Sequence, residues 1–208
     1  MMKKIFLVLS ALMFMFMCSA CFAESMSEKV AQAAFSGEVK KVAILMDAPV
    51  TYADNERIRE MVPQKASEIF KKPKFEILSF EESQMMKKIY REENNMITID
   101  YATSITPLKM ADVKALGENL GADYVLLLNV TNSAPRVGAG LFSVSFKTTI
   151  TCDARLMDVN TGKYIMMKQT VKDGKSTAVL AGIPSFDKAY QEALEKSLTE
   201  LQINTANL

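Results

Sequence analysis

Between Phe142 and Val159 the chain alternates. Phe142, Val144, Phe146, Ile150, Cys152, Ala154 and Leu156 hold one parity, and Ser143, Ser145, Lys147, Thr149, Thr151, Asp153 and Arg155 hold the other. A period of two over that length predicts a long antiparallel strand with one dry face and one wet face. A tight turn at Asn160-Thr161-Gly162 and a return strand over 163–171 complete a hairpin. Just before it, Asp123 to Val130 reads as a short buried strand, followed by a loop.

Earlier in the chain the pattern changes. KKVAILMDAP (40–49) is apolar on both parities, which suits a strand in the middle of a sheet, covered on both faces. From Asp54 to Lys72, Ile58, Met61, Val62, Ala66, Ile69 and Phe70 recur at three- and four-residue spacing. They predict one stripe of a helix capped by Asp54 and kinked or broken at Pro63. Residues 74–80 read as a second strand. Ser79 and Glu82 then fit a capping box for a helix carrying Met85, Met86, Ile89 and Tyr90.

Residues 94–106 have no sustained period and read as a connection. Thr106-Pro107 opens a helix whose stripe is Met110, Val113, Leu116 and Leu120, and Gly121 stops it. Helix, glycine and buried strand make the second half of a βαβ crossover, so the strand from Asp123 should run parallel to the first. Lys172 to Gly182 reads as a loop. From Ser185 to Gln202 a last helix faces the core with Phe186, Ala189, Tyr190, Ala193, Ser197, Leu198 and Leu201. The expected fold class is α/β: a mixed sheet joining a parallel βαβ part to an antiparallel meander, with packed helices, in the order β-α-β-α-β-β-β-α.

The N-terminus sets the compartment. Lys3 and Lys4, an apolar run from Ile5 to Met17 and small residues up to Ala23 have the order of a bacterial-type export signal, residues 1–23. About 13 to 15 apolar residues fall short of the roughly 20 that span a bilayer as a helix. Cleavage after Ala23 is favoured over cleavage before Cys21. The second cut would make Cys21 a lipidation site, but Cys18 stands where a leucine is usual. Residues 24–39 then form a flexible lead and 40–204 a single α/β domain. Without Lys3 and Lys4 the chain carries 23 basic and 24 acidic side chains with signs intermixed, so no nucleic-acid partner is expected. Contact with a membrane is expected only through a lipid anchor, and the oligomeric state stays open.

The chain has no histidine, which removes Ser-His and Cys-His nucleophiles and most zinc sites. Cys152, on the apolar parity, reads as a small core hydrophobe. Asp173-Gly174-Lys175-Ser176-Thr177 lacks the earlier glycine of a phosphate-binding loop, since Gln169 stands there, and reads as a solvated turn. Val137-Gly138-Ala139-Gly140 leads into a strand and reads as a flexible bend. Glu81-Glu82 and Glu92-Glu93 point apart on helices and, with Asp47, Asp54 and Asp100, read as solvated acids. Five of the fifteen methionines lie in the export signal, and the others fall mostly on apolar stripes as core filling. No catalytic residue, metal or cofactor is expected.

The early V-A-I-L strand, GADYVLLLNV (121–130) and ARLMDVNTGKYI (154–165) resemble the CsgG-like group of bacterial envelope proteins. That group takes in LpoB-like activators and the TolB N-terminal domain. The resemblance covers about residues 40–202, with the Gly-Ala-Asp-Tyr and Asp-Val-Asn-Thr-Gly segments carrying most of it. It implies the same element order and a non-catalytic assembly, pore-forming or activating role in the periplasm or at the outer membrane. The chain lacks long inserts for membrane-spanning hairpins, so pore formation is not carried over, and no site residue transfers.

The functional expectation is therefore an exported, non-catalytic envelope module that binds an envelope protein or a cell-wall-associated partner. The alternative is a small periplasmic hydrolase using carboxylates, which needs convergent acids in one pocket. The candidate partner surface is the wet parity of the long strand, a platform of about 40 Å at roughly 3.4 Å per residue. Lys147 and Arg155 would be its charged anchors, and the loop holding Arg136, Gly138 and Gly140 would overhang one end.

Overall fold

Lys40–Asp47 (β1) is apolar on both parities because strands flank it and helices cover both its faces. Val42 to Met46 are at most 1% exposed. In the computed structural model, which describes residues 37–49, 52, 54–96, 106–140, 143–179 and 183–208, β1 pairs in parallel with Phe75–Ile77 (β2) on one side and Tyr124–Asn132 (β3) on the other. Three helices lie between these strands: Glu56–Ile69 (α1), Phe80–Glu93 (α2) and Met110–Asn119 (α3). Then follow Arg136–Ala139 (β4), Ser143–Asp158 (β5), Lys163–Val179 (β6) and Phe186–Thr199 (α4). The expected mixed sheet and element order are observed.

β3 and β4 lie one after the other along the same side of β5, both antiparallel to it, and β6 takes the other side over the whole length of β5. α1 and α4 cover one face of the sheet, burying Ile44, Met46, Leu126, Leu128, Ile150, Cys152 and Leu156 against Ile58, Val62, Tyr190 and Leu194. α2 and α3 cover the other face over β1, β3 and the last residues of β5, where Ala43, Leu45, Val125, Leu127 and Met157 meet Val113 and Leu116. Residues 40–71 and 75–208 form this compact unit. Residues 37–39 and 72–74 group separately, and the Lys72–Pro73 peptide there is cis.

Several boundaries differ from the sequence pattern, each for a local reason. α1 is capped by Asn55, whose Oδ1 accepts the Arg57 N–H at 3.1 Å, not by Asp54. It also runs unbroken through Pro63, because Ile58, Val62 and Ala66 on either side are buried and carry the helix across the lost hydrogen bond. α3 starts at Met110 instead of Pro107: Asp112 reaches back to the Lys109 N–H at 2.7 Å and makes the cap there. Ser79 caps α2 as expected, accepting from the Glu82 N–H at 3.3 Å. Of the apolar stripe expected on α2, however, Met85 is 60% and Ile89 41% exposed, while Ser83 and Arg91 are buried.

The largest difference is in β6. The stretch expected to be a loop from Lys172 continues as strand to Val179, because the first half of β5 offers it a partner down to Ser143↔Val179. Asp173 to Thr177 is therefore strand rather than a turn. Gly174 is required in it: a Cβ there would lie 1.8 Å from the Ala189 carbonyl oxygen, where α4 crosses the strand. At the other end of the hairpin, Gly162 at φ +65° turns the chain, its N–H donating to the Asp158 carbonyl at 2.8 Å.

Among the described residues no helix is long and apolar enough to cross a membrane. The export signal with Cys21, most of the lead, Asp100 and Phe142 lie outside the described residues.

Candidate functional site

The two parities of β5 meet different surroundings. Ile150, Cys152, Ala154 and Leu156 are fully buried under α4, and burial pushes the Cys152 thiol up to about 12. The opposite parity from Ser145 to Arg155 carries no helix. Beside it on β6, Met167 is 68% and Val171 55% exposed, and Gln169, Asp173, Lys175 and Thr177 are exposed as well. This open face holds two groups of polar side chains at opposite ends.

The first group lies where β1 and β3 end. Register places Asp47 beside Asn129, Asn129 beside Asp153, and Asp153 beside Gln169, so four polar side chains form a row across four strands. They line a cavity of about 710 Å³ with Thr131, Thr151 and Arg155. Its position, at the carboxyl ends of two parallel strands whose outgoing connections diverge, is one where open α/β sheets bind ligands.

Asp47 in this row is buried, not solvated as its sequence position suggested. Its Oδ1 accepts from Lys87 Nζ at 2.9 Å and its Oδ2 from Arg91 Nη2 at 2.7 Å. Arg91 Nη1 also donates to the Thr106 carbonyl at 2.9 Å, and Lys87 donates to the Met46 carbonyl. Burial pushes the Lys87 ammonium below the usual lysine range, with Asp47 pulling the other way. Farther along the row, Arg155 donates from Nε and Nη2 to Asp153 Oδ2 at 3.0 and 2.5 Å and stands 5.7 Å from the Tyr164 ring centre. Those hydrogen bonds to Asp153 raise the guanidinium above its ordinary value. The two carboxylates of the cavity sit two strands apart, roughly 10 Å between backbones, with Asn129 between them. Asp47 is ion-paired with Lys87 and Arg91, and Asp153 with Arg155.

The second group lies at the far end. Arg136 on β4 faces Lys147 on β5, and Lys147 faces Lys175 on β6. All three are exposed, and among the described residues none of their side chains forms an ion pair, although Glu192 Oε2 accepts the Lys175 backbone N–H at 2.7 Å. Like charges directly opposite one another in a sheet are destabilising, so this row exists at a cost to the fold.

The structure thus unites Arg136 and Lys147 and adds Lys175, which the sequence pattern had assigned to a loop. It separates Arg155 from them by eight residues of β5, roughly 27 Å. Gly138 is not in a bend, whereas Gly140 lies just past β4, where the chain turns back to β5. Gly138 is in β4 opposite Ser145, whose Oγ would be 2.8 Å from a Cβ at 138. The Gly140 N–H donates to the Ser143 carbonyl at 2.7 Å. Gly138 serves close cross-strand approach where β4 takes the part of β5 that β3 leaves free. The Asp47–Lys87–Arg91 cluster also escaped the sequence pattern. Its visible signals were an acid ending a fully apolar strand and two cations four residues apart on one helix.

No family model matches the sequence, and no curated protein matches it. Solved structures with a similar fold include the protein CT253 from Chlamydia trachomatis (12% identity, 78% of this chain and 93% of that one, TM-score 0.39). They also include the LpoB C-terminal domain from Salmonella enterica (13%, 69% and 89%, TM-score 0.33) and the lipoprotein GNA1162 from Neisseria meningitidis (15%, 67% and 85%, TM-score 0.38). With TM-scores below 0.5, these likenesses carry no functional argument.

Proposed function

We propose that the chain is an exported, non-catalytic envelope module, with residues 40–204 as its domain, and that it binds an envelope protein or cell-wall-associated partner through the open face of its sheet. The observation that carries this reading is the row Arg136–Lys147–Lys175: three exposed cations facing one another in register, none of whose side chains is held in an ion pair among the described residues. Such a row is most simply retained for an acidic partner, with Ser145, Thr177 and Thr149 around it as hydrogen-bonding rim. The order of the first 23 residues and the CsgG-like segments at 121–130 and 154–165 support the envelope setting. Cys21 as a lipid anchor and Arg155 as a second contact belong to the same reading.

The test is an affinity capture from envelope extracts with wild type, an Arg136→Glu, Lys147→Glu, Lys175→Glu variant, and an Asp153→Asn, Arg155→Gln variant. Loss of one defined partner in the first variant with an unchanged far-ultraviolet spectrum supports the cationic row. Equal recovery by all three removes the open face as the contact surface. Hydrolysis of an envelope glycan or peptide that is abolished only in the Asp153→Asn, Arg155→Gln variant would replace this reading with the carboxylate hydrolase.

A further inference from the structure

β6 is the edge of the sheet. It pairs with β5 along one side, and among the described residues no strand pairs with its other side. The edge strand is 17 residues long; α4 takes up part of it, Glu192 Oε2 accepting the Lys175 N–H at 2.7 Å and Lys196 Nζ donating to the Asp173 carbonyl at 3.1 Å, and the stretch before Asp173 is the kind of edge that proteins ordinarily protect by shortness, proline, bulges or charges. This edge has no proline. Its one register shift lies near its start, opposite Leu156 and Met157. The two lysines in its middle are drawn to the end of α4: Lys168 Nζ donates to the Glu200 carbonyl at 2.6 Å, and Lys172 Nζ lies 2.5 Å from Glu200 Oε2. Between Met166 and Lys172 the side chains outward on the open face are Met167, Gln169 and Val171, with the two apolar ones 68% and 55% exposed, and Asp173, Lys175 and Thr177 follow farther along the strand.

We infer that this edge pairs antiparallel with the same edge of a second copy, with Gln169 facing Gln169 on the two-fold axis. The register follows from the side chains. A two-fold axis perpendicular to the sheet keeps open face with open face, so odd positions meet odd positions. An axis at 168 sets Lys168 against itself, and one at 170 sets Lys168 against Lys172. An axis at 167 runs the pairing into the register shift. An axis at 171 places Met167 against Lys175. With the axis at 169, Met167 meets Val171 of the other copy on both sides of a Gln169 pair, and Lys168 and Lys172 meet Thr170 and Met166. The paired segment is then 166–172, and it ends before the register shift. The product is one continuous sheet through two copies, with both rows Arg136–Lys147–Lys175 on the same open face.

The test uses the mature chain and has two independent arms. Light scattering on a sizing column is expected to give twice the chain mass. A Met167→Lys, Val171→Lys variant, which sets lysine against lysine across the axis, should give a monomer with an unchanged far-ultraviolet spectrum and an unfolding midpoint that, unlike that of wild type, does not depend on protein concentration. In the second arm a short thiol-to-thiol linker is added to Gln169→Cys and to Thr177→Cys; Cys152 is fully buried and does not compete. Position 169 should crosslink to itself. Position 177 should not, because this register holds its two copies roughly 54 Å apart. A wild-type monomer at every concentration tried overturns the inference, as does a dimer that survives both lysines. Crosslinking at 177 equal to that at 169 overturns the register.

Discussion

β1 and β5 both lie inside one sheet with a strand on either side, yet they are built from different sequences. Every residue of β1 from Val42 to Met46 is apolar and buried, whereas β5 buries only alternate residues through most of its length. The difference is in what lies above them. α2 and α3 are the crossover connections of parallel pairing and must lie on the face opposite α1, so β1 and β3 are covered twice. β5 and β6 are joined by a hairpin that contributes no helix, so beyond the hairpin end, where Met157 and Tyr164 meet the second layer, only α4 covers them. Polar and charged side chains therefore collect on the antiparallel half of the sheet, and at the boundary where the second helical layer stops.

The sharpest way to break this contrast is at Asp47, the one buried acid among the described residues. Asp47→Ala leaves Lys87 and Arg91 as buried cations without their carboxylate, and is expected to cost about 3–5 kcal/mol in urea unfolding. Asp153→Ala, whose Arg155 partner reaches solvent, should cost about 1 kcal/mol or less.

The same comparison holds for apolar positions. Leu128→Ala, fully buried in β3, should cost about 2–5 kcal/mol. Val171→Ala on the open face of β6 should stay within about 0.5 kcal/mol. A loss at Val171 comparable with that at Leu128 would mean that this part of the face is covered in solution.

Within β5 itself, pH separates the two parities. The folded thiol of Cys152 titrates above its unfolded value, so its contribution to stability is whole below the ordinary thiol value near 9 and is lost as pH climbs toward about 12. The slope is at most about 1.4 kcal/mol per pH unit. Unfolding midpoints of wild type and Cys152→Ala should therefore converge as the pH is raised through that window, and the native thiol should resist thiol reagents at neutral pH.

The smallest effect is expected at the cationic row. Lys147→Glu removes two like-charge contacts at once, and should raise stability by about 0.5 kcal/mol at low salt, with the gain fading in high salt. A clear loss of stability would show that Lys147 has a favourable partner in the folded chain.

Much of this arrangement was legible in the order of residues. Alternation in β5 named its dry face, from Ile150 to Leu156, because period two has no other packing solution in a strand of that length. The unbroken apolar run from Val42 to Met46 placed β1 in the middle of the sheet, and Gly121 before an apolar strand gave its parallel partner. The element order followed from these signals.

Other features had no local signal. Lys172 to Val179 carries polar and turn-forming residues, and is strand only because β5 supplies the partner hydrogen bonds. The bend proposed at Gly138 is strand because β3 ends and leaves part of β5 unpaired. Asp47, Lys87 and Arg91 are separated by 40 and 44 residues and meet only because α2 packs across the end of β1. Likewise the three cations at 136, 147 and 175 become one row only through strand register. Local periodicity determines which way a side chain points relative to its own element; which charges become neighbours is decided by pairing and packing between elements distant in the chain.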